Sequence, residues 1–324
     1  IINTLSNSSL FAKWLNKVPF AIPAALAISR VDVLSNPLAI NSDDINKDIL
    51  DSSINYSADI DEIVSDAKYF IIASPVSSVQ YFAEKFKENN KGIKALISCK
   101  GMDPNSGSFP SQILSNYIHE DNIAVLSGPS FANEVYKGMP TAVTIASSNP
   151  SLGKEFSDMF HAKNFRVYNS SDVIGCQLGG AIKNVLALAV GISDGLDLGP
   201  NAKAALITRG MNEFKELGNL LKCNPQTIYG LSGLGDLVLT ANDDQSRNRF
   251  FGIEIGKGKK IEDIKNNLSE TVEGIYAVDG IMILSKEFDV KLPICEQVYN
   301  ILHGIISPKE AVDGLLEREP KMEV

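Results

Sequence analysis

Four short segments carry the residue types from which chemistry can be built. In Gly179-Gly180-Ala-Ile-Lys183-Asn184 a lysine follows two adjacent glycines by one helical turn, so ammonium and glycines share a face. Inside a helix each glycine costs about 1 kcal/mol relative to alanine, and the pair needs a compensation. Close approach of a ligand beneath the Lys183 ammonium would supply it; so would packed backbone, with the lysine at the surface. Helix logic leaves both open. The run Gly233-Leu-Gly235-Asp236-Leu-Val-Leu-Thr240 sets Asp236 and Thr240 on one helical face, where a carboxylate can orient or tune a lysine. In Ser246-Arg247-Asn248-Arg249 the serine suits a helix N-cap, and an arginine beside free amides suits a phosphate group; a capped surface helix gives the same pattern. Lys100-Gly101 offers a cation with little steric obstruction. Gly128-Pro-Ser130-Phe-Ala132-Asn-Glu134 reads as a turn feeding a helix whose amides favour an anion. Taken singly, each of these last two is matched by an ordinary structural turn.

The elements that must hold these residues follow from periodicity. Lys68–Pro75, Ile93–Cys99, Ile123–Ser127 and Ala142–Ala146 are short apolar runs separated by helix-length stretches, the pattern of a mostly parallel sheet covered on both faces. Ligands of such sheets bind at the carboxyl ends of the strands, which is where Lys100 and Gly128 stand. After about residue 170 the pattern changes. Leu178, Ile182, Val185, Leu186 and Ala189 form a helical stripe, and residues 202–221 and 276–288 also read as helices. The expectation is a Rossmann-like α/β domain over residues 1–171 followed by an all-helical domain over 172–324.

Composition narrows the partners. A chain of 324 residues fits two domains. A formal net charge of −9 argues against nucleic acid or an anionic membrane as the main partner. An acidic protein that handles an anion must concentrate its cations locally, which adds interest to Lys100, Lys183 and Arg247. The four cysteines and three histidines are scattered without metal-ligand spacing, so no metal is expected, and a reducing cytoplasm is the simple compartment. Lys13 and Lys17 precede the apolar run Phe20–Ile28, the order of a secretory signal, but the run is too short for a bilayer, which takes about 20 apolar residues. Because nothing downstream looks exported, an amphipathic or buried helix is expected there rather than a secretory peptide, with no stable membrane insertion.

Together the segments resemble the bacterial soluble NAD(P)-dependent glycerol-3-phosphate dehydrogenases. The resemblance runs from about Tyr69 to Leu316. It rests on Ser98–Gly101, Leu126–Ser130, Gly175–Asn184, Asn201–Gly210, Leu231–Thr240, Ser246–Arg249 and Val272–Gly274. It implies a 6-phosphogluconate-dehydrogenase-like architecture and interconversion of dihydroxyacetone phosphate and sn-glycerol 3-phosphate with NAD or NADP, feeding phospholipid synthesis. By the same resemblance, Lys183 is the general acid–base, Lys100 a second cation near substrate and cofactor, and Asp236 the group that holds Lys183. Thr240 and Asn184 complete the polar pocket. Ser246, Arg247 and Asn248 take the phosphate, with Arg247 reaching the cofactor as well. Gly128, Ser130 and Ala132 line the cleft, Ala132 on the cofactor side, and Glu273 approaches the cofactor. A homodimer is typical of the family.

One part of the family pattern is missing. The Gly-x-Gly-x-x-Gly loop that lets a pyrophosphate reach a helix N-terminus has no counterpart, since the first glycine is Gly92. Three readings compete: an N-terminal sequence that is misassigned, an altered mode of cofactor binding, or a degenerate relative without catalysis. The first is preferred, because the later motifs are intact. Val31–Leu34, read as the second strand, is followed by Ser35-Asn36 and no acid, which permits NADP. The rival functions are another dehydrogenase of this architecture acting on a hydroxy acid, and a non-catalytic relative.

Overall fold

The computed structural model describes residues 60–61, 64, 68–89, 92–268 and 271–318. The readings of Phe20–Ile28, of Val31–Leu34 and of the absent glycine loop lie outside them. Among the described residues five strands, β1 (Tyr69–Ile72), β2 (Lys94–Ile97), β3 (Ile123–Ser127), β4 (Thr141–Ala146) and β5 (Phe165–Ser170), form one sheet in chain order. Every neighbouring pair is parallel except β3 and β4. Each sheet face has its own core. Phe70, Ile72, Ala95, Ile97 and Val125 pack under Val79, Phe82 and Phe86 of α1 (Val79–Asn89) and Ile113 and Leu114 of α2 (Pro110–Ser115). Ile71, Leu96, Ala124 and Leu126 face the other way, against Leu152, Phe156 and Phe160 of α4 (Pro150–Phe160), which follows the single short turn of α3 (Ala132–Tyr136). Burial on both faces is why these strands read as continuous apolar runs. The fifth strand, β5, escaped that reading because it alternates at an exposed position, with only Phe165 buried.

Helices follow. They are α5 (Val173–Gly195), α6 (Gly199–Leu220), α7 (Pro225–Tyr229), α8 (Asp236–Asn242), α9 (Arg247–Gly256), α10 (Ile261–Asn266), α11 (Glu273–Glu287), α12 (Pro293–Leu302) and α13 (Pro308–Leu316). Asp172 opens the set by accepting the Gly175 N–H at 2.8 Å, capping α5. From Gly175 to Ser193 every residue of α5 is buried, the mark of a central helix with neighbours all round. It is long and apolar enough to cross a membrane, but 89% of its apolar window lies inside the protein.

Helices α5 and α9 pack backbone to backbone, and the contact rests on four glycines. A Cβ added at Gly191 would stand 2.1 Å from the Arg249 carbonyl oxygen, and one at Gly195 2.3 Å from that of Ile253. Reciprocally, a Cβ at Gly252 would meet the Leu188 oxygen at 2.3 Å and one at Gly256 the Ile192 oxygen at 2.4 Å. The two Gly-x-x-x-Gly spacings therefore bring the backbones into contact. At α12 a buried carboxylate does the work of a cap: Glu213 of α6 accepts the N–H groups of Ile294 at 2.6 Å and Cys295 at 3.1 Å.

Candidate active site

The site assembles where the carboxyl ends of β2 and β3 meet α5. Beyond β2 the chain turns through Lys100 and Gly101, and beyond β3 through Gly128, whose φ of +124° suits glycine. Lys183, one turn past the glycine pair on α5, is buried and donates to Asp236 Oδ1 at 2.8 Å and Thr240 Oγ1 at 3.1 Å. The Thr240 hydroxyl itself donates to the Asp236 carbonyl at 2.7 Å, so the pair one turn apart on α8 acts as a unit. Lys100 approaches from the sheet, donating to Asp236 Oδ2 at 2.5 Å and to the Gly128 carbonyl at 2.8 Å. One carboxylate, 1% exposed, thus holds two ammoniums, one on each oxygen.

The network continues through amides. Asn184 donates to the Lys100 carbonyl at 3.2 Å and accepts from the Asn248 side chain at 2.9 Å; the Asn248 oxygen accepts the Gly274 N–H at 2.9 Å. The β2 turn, α5, α9 and α11 are joined by it. Asn248 is buried, whereas Arg247 is exposed at the start of α9. Ser246 caps that helix as expected, accepting the Arg249 N–H at 3.2 Å. Ser130 donates to the Gly128 carbonyl at 3.1 Å, and Ala132 is exposed as the first residue of α3. Glu273, the first residue of α11, lies against the Val76 N–H and Gly101, within the field of Arg247.

The ambiguity of the glycine pair is resolved by its neighbours. A Cβ at Gly179 would fall 2.1 Å from the Ser232 carbonyl oxygen, and one at Gly180 would sit 3.2 Å from Lys100 Cβ and Cγ. The pair admits packed backbone and the stem of the second lysine. Ser232 belongs to a π-helical turn, Leu231–Gly235, that leads into Asp236; wide turns of this kind recur at functional sites. Gly233 is required there, because a Cβ would meet the Ile228 oxygen at 2.1 Å.

Burial sets the electrostatics. It lowers the Lys183 ammonium to about 8; the nearby Lys100 charge pushes the same way and Asp236 resists. Burial alone would raise the Asp236 carboxyl, but Lys100 and Lys183 outweigh it and hold the group below the ordinary carboxylate range. Glu273 is pushed up to about 7 by burial, with Arg247 and the Val76 N–H opposing. A lysine near neutrality is suited to giving and taking protons, and a fixed ammonium beside it stabilises a developing alkoxide.

The histidines stand apart from these residues. His303 pairs with Asp279 at 2.8 Å and lies tilted against the Tyr299 ring; His119 and His161 accept backbone N–H groups at the surface. The four cysteines are free thiols, and no cluster of metal-binding side chains occurs among the described residues. Sequence reasoning missed the π-turn and the Gly-x-x-x-Gly pairs. The second of these had a legible signal, since both glycine pairs repeat at a spacing of four.

With this geometry in hand, the chain can be set beside known proteins. Residues 33–153 match the family model described as NAD-dependent glycerol-3-phosphate dehydrogenase N-terminus, and residues 172–313 match the corresponding C-terminus. A glycerol-3-phosphate dehydrogenase (NAD(P)+) of Legionella pneumophila is 45% identical over 268 residues, covering 82% of this chain and 81% of its own. The protein of that name from Halorhodospira halophila is 40% identical over 291 residues, 88% of this chain and 87% of its own. The crystal structure of glycerol-3-phosphate dehydrogenase from Coxiella burnetii superposes with a TM-score of 0.79 at 35% identity, covering 83% of each chain.

Proposed function

The chain belongs to the NAD-dependent glycerol-3-phosphate dehydrogenase family, and from that membership we propose that it reduces dihydroxyacetone phosphate reversibly to sn-glycerol 3-phosphate with NADH or NADPH. The observation that carries the proposal is the buried Asp236 carboxylate holding Lys183 and Lys100 on its two oxygens, at 2.8 and 2.5 Å. Two of the three Lys183 donors are committed to Asp236 and Thr240. The third serves the substrate. As hydride reaches C2, Lys183 gives a proton to the carbonyl oxygen, so that C=O becomes CH–OH and the lysine is left neutral. In the reverse direction neutral Lys183 removes the hydroxyl proton. Burial makes both states accessible near pH 8. Lys100 stabilises the oxygen as its charge develops, and Asn184 keeps the Lys100 turn in register with α5. Asp236 and Thr240 aim Lys183.

The residues present fit a nicotinamide cofactor. Parallel β1, β2 and β3 bring their carboxyl ends into one row. Beside that row the backbone of Gly101, at φ +153°, runs bare between Val76 and the Glu273 carboxyl. Lys100, Ala132, Arg247 and Glu273 would hold the cofactor, which supplies the hydride when bound. The phosphate of the substrate would lie at the N-terminus of α9, with Ser246, Arg247 and Asn248, and Gly128 and Ser130 would line the wall opposite α5. This reading takes residues 1–171 as the dinucleotide-binding domain and 172–324 as the helical substrate and catalytic domain, with Gly128 and Ser130 of the first reaching the substrate and Arg247 and Glu273 of the second reaching the cofactor. It extends to a cytoplasmic homodimer whose product supplies phospholipid synthesis.

The test is oxidation of NADH and of NADPH by the purified protein with dihydroxyacetone phosphate. Turnover that disappears in Lys183→Met supports the proposal. A protein that binds neither cofactor, or that turns over a hydroxy acid in preference, overturns it.

A further inference from the structure

The arginine two residues beyond Arg247 has partners of a different kind. Arg249 reaches back to α5, where its Nε and Nη2 donate to Asp194 Oδ2 at 2.9 and 2.6 Å. Its Nη1 reaches in the opposite direction along the chain, donating to Asp244 Oδ1 at 2.6 Å. Lys203 of α6 pairs with the same Asp194 oxygen at 2.9 Å. Arg249 and Asp194 are largely buried, with side chains 13% and 18% exposed, whereas Asp244 is 97% exposed on the turn that precedes α9. The guanidinium therefore joins a surface turn to the last turn of the helix that carries Lys183.

That join falls at a particular place. The body of α9 is already fixed to α5 by the Gly191, Gly195, Gly252 and Gly256 backbone contacts and by buried Phe251 and Ile255. Those contacts do not reach the segment just before it, Asp243–Ser246, which leads into Arg247. It is held locally by the Ser246 N–H to the Asp243 carbonyl at 3.2 Å, the Gln245 N–H to Asp243 Oδ1 at 2.8 Å and the Gln245 amide to Glu134 at 3.3 Å, while Arg249 ties it to α5. Ser246 is bound to this arginine as well, since the N–H it caps is that of Arg249. A planar fork with fixed donor directions suits a two-ended bridge of this kind; a lysine, with a single ammonium, cannot span it.

We infer that Arg249, bridging Asp194 and Asp244, is a positioning residue that orients the Ser246–Asn248 turn for the phosphate end of the substrate. The inference rests on the functional reading above and deepens it. The guanidinium bonds to Asp194 and Asp244, away from Lys183 and Asp236. Its loss should leave proton transfer intact and loosen phosphate recognition, where displacement by about 1 Å is enough to cost up to 10²-fold.

The experiment compares wild type, Arg249→Met, Arg249→Lys and Asp244→Asn in steady-state reduction of dihydroxyacetone phosphate by NADPH. The expected result is a KM for dihydroxyacetone phosphate raised at least tenfold in Arg249→Met and threefold or more in Asp244→Asn. The KM for NADPH and kcat should stay within twofold, and Arg249→Lys should rescue the defect only in part. Asp244→Asn decides the matter if Arg249→Met does not fold, because it changes a surface side chain. An unchanged substrate KM in Asp244→Asn overturns the inference, as does a fall in kcat at constant KM. Absence of turnover in the wild type overturns the functional reading itself, and this inference with it.

Discussion

Gly179 and Ser232 touch through their backbones, and on that contact the placement of Asp236 depends. The Ser232 carbonyl oxygen occupies the position a Cβ at Gly179 would need, 2.1 Å away. Since Ser232 lies in the π-turn that runs directly into Asp236, moving that turn moves the carboxylate between the two lysines.

Gly179→Ala is therefore expected to displace the turn. Overpacking of this type costs about 1–3 kcal/mol, so the melting temperature should fall. Because Asp236 moves with the turn, kcat should fall by about 10²-fold or more. Melting and turnover measured together check this. A loss of stability with normal kcat would show that the turn can shift without carrying Asp236.

Lys183→Met should lower kcat by about 10²–10⁴-fold, the usual contribution of a positioned acid–base group. The wild-type pH profile should carry the same signature. Reduction needs protonated Lys183, so its kcat/KM should be level below about 8 and decline above it. Oxidation of glycerol 3-phosphate needs the neutral amine and should rise toward pH 8. Parallel profiles for the two directions would remove Lys183 from the proton transfer.

Glu273 gives a pH dependence of stability with a definite sign. Its carboxyl is raised from 4.5 to about 7 in the folded chain. Between those values the folded protein holds a proton that the unfolded chain has released, so the contribution is fully present below about 4.5 and is lost as pH rises through 7. Replacing Glu273 by Gln should accordingly matter little near pH 4.5 and raise the melting temperature of the cofactor-free protein by pH 8. A variant less stable than wild type at pH 8 would mean that pairing with Arg247 outweighs burial.

Glu213 should matter for stability alone. Glu213→Ala strands the buried N–H groups of Ile294 and Cys295 at the start of α12, and each unsatisfied donor costs about 1–3 kcal/mol. Chemical denaturation should register a lower midpoint, while the KM values of the folded fraction stay unchanged. Altered KM values would tie α12 to the site.

The sequence was legible where local chemistry repeats a rule. Four of the five described strands announced themselves as apolar runs because both sheet faces are covered; β5, exposed along most of its length, gave no such run. Ser246 was readable as a cap because capping needs only the next three residues. Lys183 and Asp236 were singled out from their spacing to neighbours on the same helix. Their meeting was not readable from spacing, since 53 residues of chain separate them; the family resemblance supplied it. Asn248 was expected at the phosphate, and the structure engages both ends of its amide with Asn184 and Gly274. Arg249 carried no separate signal in the sequence, because its partners Asp194 and Asp244 come from a helix distant along the chain and from the preceding turn.

What the sequence determined alone is the class of fold, the helical half and the residue types of the site, all of which depend on periodicity and on interactions within a turn or two. What only the tertiary structure decided is which groups share a charge and which glycines serve contact. The glycine pair on α5 could have faced a ligand or a backbone, and the choice fell to Ser232 and Lys100, brought there by chain more than fifty residues away on either side. A buried carboxylate between two ammoniums has its energy set by distances of a few ångströms and by the exclusion of water. Neither quantity exists until the sheet and the helices have closed on each other.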